Sequence, residues 1–227
     1  MKVRIERAAD ISPTVRIYFC RSLREFIFLP GQYLSFFVPK GPGRAIRAYS
    51  FCSSPLAQPD FQLCVKRVPG GIGTAYLAEN VGKIVEASEP GGEFILPERQ
   101  RRKLIFLAAG AGIAPVRSQI FHWMSSFKTA GAELIYRYGG ADECLFQNEF
   151  LGLEKKHESF SFVKSDSQTQ KDWGAVLRDR HFPDKNADFY IVGPPEFVNE
   201  TMKILKNKGV DEGSVSLDIW GTESYTI

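Results

Sequence analysis

Residue types that bind phosphates and flat rings are concentrated in the segment Arg47–Ser54, which reads RAYSFCSS. An arginine guanidinium pairs with phosphate oxygens, a tyrosine ring stacks on an aromatic system, and a serine hydroxyl reaches a ring nitrogen. On a strand, Arg47, Tyr49 and Phe51 face one side, and the residues between them face the other. Taken alone, the segment is better explained as an ordinary strand whose arginine reaches into solvent.

A second segment suited to phosphates, Val65–Thr74, reads VKRVPGGIGT. It runs from a strand through three glycines into a helix, which we predict over Thr74–Asn80 with Thr74 as its N-cap. Glycines allow close approach of the backbone to a ligand, and the free N–H groups of a helix N-terminus bind anions. The alternative that stays open is a flexible surface turn.

Two more segments lead from an apolar strand into a helix. In Leu104–Pro115 the strand enters the loop GAGIAP, whose glycines bring backbone amides to a pyrophosphate. Pro115 suits the first turn of a helix, where its missing N–H costs little. The segment Asp188–Glu196 reads DFYIVGPPE and lies at the carboxyl edge of the predicted sheet, where ligands bind in open α/β folds.

The first 98 residues contain short stretches rich in β-branched and aromatic residues, separated by proline and glycine turns. The predicted strands are Val15–Cys20, Tyr33–Val38, Ala48–Cys52, Phe61–Arg67 and Ile84–Ala87. Strands at this spacing indicate an antiparallel barrel or sandwich.

After a charged linker, Pro97–Lys103, apolar strands alternate with amphipathic helices. The predicted strands are Leu104–Ala109, Glu133–Tyr138, Phe160–Val163, Asp188–Val192 and Val215–Ile219. This alternation predicts a parallel, doubly wound sheet. We therefore divide the chain into an antiparallel β-barrel domain, residues 1–98, and an α/β nucleotide-binding domain, residues 99–227.

The composition is ordinary for a soluble globular protein, with 44% hydrophobic and 24% charged residues and a net charge of +3. That charge is too mild and too dispersed to indicate nucleic acid binding. The four cysteines are too far apart for a local metal or iron–sulfur ligand set, and we expect them to be reduced and buried in a cytoplasmic protein. The sequence contains neither an apolar leader nor an apolar run of about 20 residues, so we expect no signal peptide and no membrane insertion.

The four segments, in this order, resemble the ferredoxin–NADP reductase superfamily over nearly the whole chain. The flavin signature Arg-x-Tyr-Ser-x-x-Ser is matched by Arg47–Ser53, and the second flavin element by Gly70–Thr74. The pyridine-nucleotide loop is matched by Gly110–Pro115, and the Cys-Gly-Pro-Pro element by Val192–Pro195. The acidic–aromatic terminal element is matched by Asp218–Gly221.

The resemblance implies that Arg47 pairs with the flavin phosphates, Tyr49 packs on the isoalloxazine and Ser50 lies near flavin N5, where hydride arrives. Thr74 and the amides around Gly73 hold the pyrophosphate. The implied catalytic residues are Ser50, Asp218 and Trp220. The implied cofactor-binding residues are Arg47, Tyr49, Ser50, Ser53, Val65, Lys66, Gly71, Gly73, Thr74, Gly110, Gly112, Ile113, Ala114, Pro115, Asp166, Gly193, Pro194 and Pro195.

Four positions refine these expectations. Trp220 shields the other flavin face until nicotinamide displaces it, unless it is an ordinary buried aromatic residue. Val192 replaces the cysteine of the family, and because hydride transfer depends more on orientation than on a thiol, we expect an altered rate rather than no activity.

Ser53, as in FAD-binding relatives, favours FAD over FMN. Asp166 stands where NADP-using relatives often carry arginine and favours NADH over NADPH, unless it is a loop residue that contacts nothing.

The sequence therefore predicts a flavin-dependent oxidoreductase that moves hydride from NADH or NADPH to FAD. Electrons then pass to an external acceptor, because no iron–sulfur ligands lie in the chain. The acceptor is either a protein, such as a ferredoxin, a flavodoxin or an oxygenase component, or a small molecule. Three alternatives stay open: a free-flavin reductase, an electron-transfer subunit of a larger complex, and a non-catalytic flavin-binding module.

Overall fold

The computed structural model describes residues 1–98, 102–126, 131–178, 180–182 and 186–220. The chain divides into two compact units. The first contains Met1–Leu96 together with Ala114–Ser126, and the second contains Pro97–Ile113 and the described residues after 130. The domain boundary between residues 98 and 99 stays a prediction.

The first unit is built from two antiparallel sheets. Its elements are β1 (Lys2–Asp10), β2 (Val15–Ser22), β3 (Tyr33–Lys40), β4 (Gly43–Ser50), β5 (Asp60–Lys66), α1 (Ile72–Glu79) and β6 (Ile84–Glu86). The larger sheet has the order β5-β2-β1-β6, and β3 pairs with β4 in a separate hairpin. Single bridges, Phe36 to Ala87 and Phe51 to Leu63, join the hairpin to both ends of the larger sheet, which closes the strands into a barrel.

Aromatic side chains fill the interior of this barrel. The rings of Phe28 and Phe51 stack with their centroids 4.0 Å apart, and Phe61 meets Phe51 edge to face at 5.2 Å. Leu77 of α1 is also fully buried in this cluster, so the short helix packs on the core. Each such buried side chain contributes about 1.5–3 kcal/mol. The core thereby holds β4, β5 and α1 in place.

Strand β1 is the one long element of the first unit that the sequence pattern does not predict. Its sequence is KVRIERAAD, and Val3 and Ile5 are its fully buried residues. The two alternate with charged residues, but the alternation stops after Ile5, where Glu6 and Arg7 are both exposed. Pairing with β2 on one side and β6 on the other makes the segment a strand, and that pairing is a tertiary effect.

The second unit contains one parallel sheet. Its strands are β7 (Lys103–Ala109), β8 (Ala132–Tyr138), β9 (Phe160–Asp166), β10 (Ala187–Gly193) and β11 (Val215–Ile219), and its helices are α3 (Gln147–Lys156), α4 (Trp173–Arg178) and α5 (Pro195–Asn207). The strand order is β11-β10-β7-β8-β9, with every pairing parallel. The predicted fold class, an antiparallel β-barrel followed by a doubly wound parallel sheet, is confirmed.

The helix α2 (Ile113–Ser126) follows β7 along the chain, and from Ala114 its residues group with the first unit. Two long side chains anchor it there. Arg117 Nη1 donates to the carbonyl oxygen of Cys52 at 2.6 Å, and Gln119 Nε2 donates to that of Phe94 at 2.7 Å. Both carbonyls belong to loops that follow barrel strands, so these bonds tie α2 to the barrel.

Candidate functional site

The helix α1 begins two residues earlier than predicted, at Ile72, and has a different cap. Gly71 is the N-cap, in extended conformation, and no side chain caps the helix. The prediction that Thr74 is the N-cap is therefore wrong. Its hydroxyl Oγ1 donates back to the carbonyl oxygen of Gly71 at 2.9 Å, because Thr74 already lies in the first helical turn. The first-turn amides are thus left for a ligand, as an anion site requires.

Arg47 and Tyr49 lie against this helix start. A Cβ added to Gly73 would stand 2.4 Å from Tyr49 Oη and 2.8 Å from Arg47 Cγ. Only glycine allows this approach, since contacts below about 3 Å require atoms to move. The two segments that the sequence suggested independently are therefore brought together, at the N-terminus of α1.

The guanidinium of Arg47 is available to an anion. Its Nη1 donates to the carbonyl oxygen of Ile46 at 2.8 Å. A guanidinium has five N–H donors, so most remain for a ligand. Burial raises the pKa of Tyr49 to about 12, so its phenol stays neutral and can donate. A fixed positive charge, a neutral hydroxyl and helix amides together suit a phosphate or pyrophosphate.

The other predicted flavin contacts occupy different surroundings. Ser50 is half-buried at the end of β4, paired with Tyr33. Ser53 is buried, and its Oγ accepts a hydrogen bond from the backbone N–H of Gln62 at 3.1 Å. That bond holds the turn after β4 against β5. Val65 is buried in the barrel core, whereas Lys66 is exposed. Their roles as flavin contacts stay predictions.

A groove of about 700 Å³ lies beside α1. Its walls are the turn between β1 and β2, the loop after β5, and the helix; they include Arg16, Lys66, Val68, Gly71 and Thr74. Arg16 is paired with Asp10 at 2.6 Å, so its charge is already compensated. The sequence does not predict that the β1–β2 turn lines this groove, because that turn lies about 50 residues from the glycine loop along the chain.

In the second unit, the glycine loop follows β7 as predicted. Gly110 has a φ of +53°, which favours glycine, and residues 110–112 form one 3₁₀ turn before α2. A Cβ on Gly112 would lie 2.9 Å from the carbonyl oxygen of Val192. The loop therefore packs directly on β10. Ile113, Ala114 and Pro115 form the buried first turn of α2, which confirms the predicted place of Pro115 in the helix.

The end of β10 lies beside the glycine loop at the same edge of the sheet. A Cβ on Gly193 would stand 2.7 Å from Phe197 Cδ1 and 3.1 Å from Ala109 Cβ. Pro194 is the N-cap of α5 and Pro195 its first residue. The carboxyl ends of β7 and β10 thus meet with glycine on both, where open α/β sheets bind ligands.

Asp218 and Trp220 reach this edge from β11. Asp218 pairs with Val192 across the parallel ladder, and the backbone N–H of Trp220 donates to Gly193 at 3.3 Å. Trp220 Nε1 stands 3.2 Å from the Cβ position of Gly112. Burial raises the pKa of the Asp218 carboxyl, with no charged neighbour contributing. The terminal element and the glycine loop are therefore one site within this unit.

Asp166 ends β9, and its carboxylate has partners. Oδ1 accepts hydrogen bonds from the backbone N–H of Gly140 at 3.0 Å and of Gln168 at 2.9 Å. These bonds tie the loop after β8 to the loop after β9. The idea that Asp166 contacts nothing is wrong. Its selection of NADH stays a prediction.

The cysteines are free, but not all are buried. Cys20, Cys52 and Cys64 are buried and Cys144 is half-buried, which corrects the expectation for Cys144. Burial raises the pKa of the Cys144 thiol to about 11, so it is not a reactive thiolate. Within the described ranges, no three metal-ligating side chains cluster, and no helix is long and apolar enough to cross a membrane.

Comparison with known protein families assigns both units. Residues 2–95 match the family of oxidoreductase FAD-binding domains, and residues 106–203 match the family of oxidoreductase NAD-binding domains. The two matches together take in most of the chain, and each contains the glycine segments described above. The chain therefore carries an FAD-binding and an NAD-binding domain.

Individual relatives of the chain are also oxidoreductase proteins or components. The chain is 29% identical over 202 residues to one component of the Na⁺-translocating NADH-quinone reductase of Serratia proteamaculans, covering 78% of this chain and 49% of that protein. It is 26% identical over 226 residues to the reductase component of a phenol 2-monooxygenase from a Pseudomonas species, covering 94% and 64%. The chain thus spans about half to two thirds of the length of these relatives.

The fold is shared with a ferredoxin NADP⁺ reductase from Neisseria gonorrhoeae, solved with bound FAD and NADP. The TM-score is 0.84 at 20% identity, covering 96% of this chain and 98% of that one.

Proposed function

We propose that this chain, which belongs to the ferredoxin–NADP reductase superfamily, is a flavoprotein reductase that takes hydride from NADH or NADPH and passes electrons to an acceptor outside the chain. The observation that carries the proposal is the contact of Arg47 and Tyr49 with Gly73 at the uncapped start of α1. It joins two phosphate-binding segments in the part of the chain that matches FAD-binding domains.

When bound, FAD supplies the redox chemistry, since it accepts hydride from nicotinamide and releases electrons one at a time. The residues present fit this group. Arg47 and the first-turn amides of α1 would hold the pyrophosphate, and the missing side chain of Gly73 leaves the space that Tyr49 and Arg47 occupy. Tyr49 packs on the ring system, and the hydroxyl of Ser50 orients it. The groove beside α1 takes the adenosine half, which supports FAD over FMN.

The dinucleotide is held at the carboxyl edge of the parallel sheet. The backbone of the loop Gly110–Gly112 approaches its pyrophosphate. Gly193 and the two prolines after it shape the opposite wall, since a side chain at Gly193 would displace Phe197. Val192 contributes buried volume without a thiol, so the site positions the nicotinamide without one.

The raised pKa of Asp218 has a consequence for nucleotide binding. Below that pKa the carboxyl is neutral; as pH rises through it, a negative charge appears at the edge where the anionic dinucleotide binds. We therefore expect the affinity for NAD⁺ to fall severalfold as pH rises from the ordinary aspartate value of 3.8 toward neutrality. Calorimetric titration across this range measures it.

The matched variant is Asp218→Asn, which keeps the size of the side chain and cannot ionise. Its affinity for NAD⁺ should not vary with pH over the same window. An identical pH profile in both proteins would remove Asp218 from the nucleotide site.

The preference for NADH is tested by Asp166→Asn. The amide oxygen still accepts from Gly140 and Gln168, so the loop is retained while the charge is lost. Removing one repulsive charge about 4 Å from a phosphate changes the free energy by about 1 kcal/mol, so the kcat/KM ratio of NADPH to NADH should rise about fivefold.

Asp211→Asn is the control, because Asp211 likewise accepts a backbone N–H, from Gly213 at 3.1 Å, at the opposite edge of the sheet. If the wild-type protein prefers NADPH, the proposed preference for NADH is wrong. An unchanged ratio in Asp166→Asn limits Asp166 to holding the loop.

We propose that the acceptor is an electron carrier or an oxygenase component, by analogy with the relatives named above, and that the protein works in the cytoplasm, where its free cysteines stay reduced. The decisive experiment is purification with an absorbance scan, followed by anaerobic reduction with NADH or NADPH and by dye reduction. Bound flavin that is reduced and reoxidised supports the proposal, and no turnover with any dye indicates a non-catalytic module.

Two further outcomes separate the remaining alternatives. Flavin that is lost on desalting and reduced as a free substrate indicates a flavin reductase. A partner that co-purifies in fixed ratio indicates that the chain works within a larger complex.

A further inference from the structure

The indole N–H of Trp220 is a buried donor without an acceptor. Within the described residues, Trp220 Nε1 is fully buried and makes no hydrogen bond, although the backbone N–H of the same residue donates to Gly193 at 3.3 Å. An indole N–H can only donate, and leaving it unpaired inside a protein costs free energy. By contrast, the buried indole N–H of Trp173 donates to Thr201 Oγ1 at 2.8 Å. The unpaired donor therefore points to a partner that is a ligand.

The position of this donor identifies the ligand. Nε1 lies 3.2 Å from the Cβ position of Gly112, on the loop that receives the dinucleotide. The carbonyl oxygen of Val192 lies 2.9 Å from the same point, so the donor lies close to the loop after β7 and to the end of β10. A ligand oxygen at this edge of the sheet reaches the nitrogen only when the indole ring moves, because the nitrogen is fully buried.

The strand order indicates which half of the dinucleotide is involved. The sheet runs β11-β10-β7-β8-β9, with the glycine loop after the central strand β7. Asp166, the residue proposed to face the adenosine ribose, ends β9 at one side of that loop. The nicotinamide half must then extend to the other side, over the ends of β10 and β11, where Trp220 lies.

We propose that Trp220 Nε1 donates a hydrogen bond to an oxygen of the nicotinamide mononucleotide half of the bound dinucleotide. This inference rests on the proposed function. It makes Trp220 a substrate-positioning residue through its N–H, in addition to any role of its ring, and a phenylalanine or tyrosine ring at this position lacks that donor.

The test is proton–nitrogen NMR of the FAD-loaded protein labelled at the tryptophan indole nitrogens. The chain has three tryptophans, and loss of one signal in Trp220→Phe assigns the resonance of interest. NAD⁺ and nicotinamide mononucleotide should shift the Trp220 signal downfield, and AMP should leave it in place. The hydrogen-bonded Trp173 signal serves as the internal reference.

Affinity supplies the second measurement. In Trp220→Phe, which keeps an aromatic ring, the Kd for NAD⁺ should rise about three- to tenfold, while the Kd for AMP stays unchanged. If NAD⁺ binds both proteins equally and the indole signal does not move, or moves equally with AMP, the inference is overturned while the proposed function stands. If NAD⁺ does not bind the FAD-loaded wild-type protein, the proposed function fails, and the inference fails with it.

Discussion

Replacing Arg47 with alanine should weaken FAD binding by about 10- to 100-fold. The side chain of Arg47 packs against the start of α1 through its Cγ and Cβ, which lie 2.8 and 3.2 Å from the position of a Cβ on Gly73. Loss of a charge-assisted hydrogen bond to phosphate costs about 1.5–3 kcal/mol, which corresponds to this range. Fluorescence titration of the apoprotein with FAD measures the change directly.

Arg44→Ala is the matched control. Arg44 lies on the same strand, is exposed, and pairs with Glu86 at 3.2 Å on the surface. Exposed ion pairs of this kind contribute at most about 1 kcal/mol, so this variant should bind FAD like the wild type. Equal FAD affinity in Arg47→Ala and wild type would take Arg47 out of the site.

Gly73→Ala should have the larger effect, with flavin lost on desalting. The added methyl group would stand 2.4 Å from Tyr49 Oη, so Tyr49 and Arg47 must both move away from the helix start. The backbone of Gly73 is not in the left-handed region, so the substitution changes the contact and not the helix. Flavin content after gel filtration, read from the absorbance spectrum, gives the result.

Gly152→Ala is the matched control, because it adds the same methyl group at a position where that group contacts nothing. Gly152 lies in α3, and a Cβ there would meet nothing within 4 Å. Alanine is the better helix former by about 0.5–1 kcal/mol, so this variant should be slightly more stable and keep its flavin. Full flavin retention in Gly73→Ala would show that the contact with Tyr49 and Arg47 does not form the site.

The helix α1 illustrates how far local patterns lead. The glycine-rich sequence after β5 predicts a turn followed by a helix, because the turn preference of glycine and the capping preference of threonine depend on neighbouring residues. The local sequence does not determine which residue caps the helix. Thr74 has a capping side chain, yet its hydroxyl bonds back to Gly71, since the N-cap lies three residues earlier, at Gly71.

Ser53 and Asp166 illustrate the same limit for side chains. Both belong to segments whose residue types suit a ligand. In the folded chain the hydroxyl of Ser53 accepts from the backbone of Gln62, and the carboxylate of Asp166 accepts from Gly140 and Gln168. A hydroxyl or carboxylate next to a loop serves a backbone N–H as readily as a ligand, and no local pattern separates the two uses.

Strand periodicity, turn residues and glycine loops are properties of consecutive residues, so the linear chain alone specifies a barrel-type half followed by an α/β half, and the four segments proposed to bind cofactors. The meeting of Arg47 with Gly73, and of Gly112 with Trp220, joins residues 26 and 108 positions apart. Such contacts depend on strand order, register and the packing of the core, which involve the whole chain at once. The folded protein therefore brings the two predicted flavin segments together at the start of α1 and, among the residues described, places an unpaired indole N–H beside the glycine loop after β7.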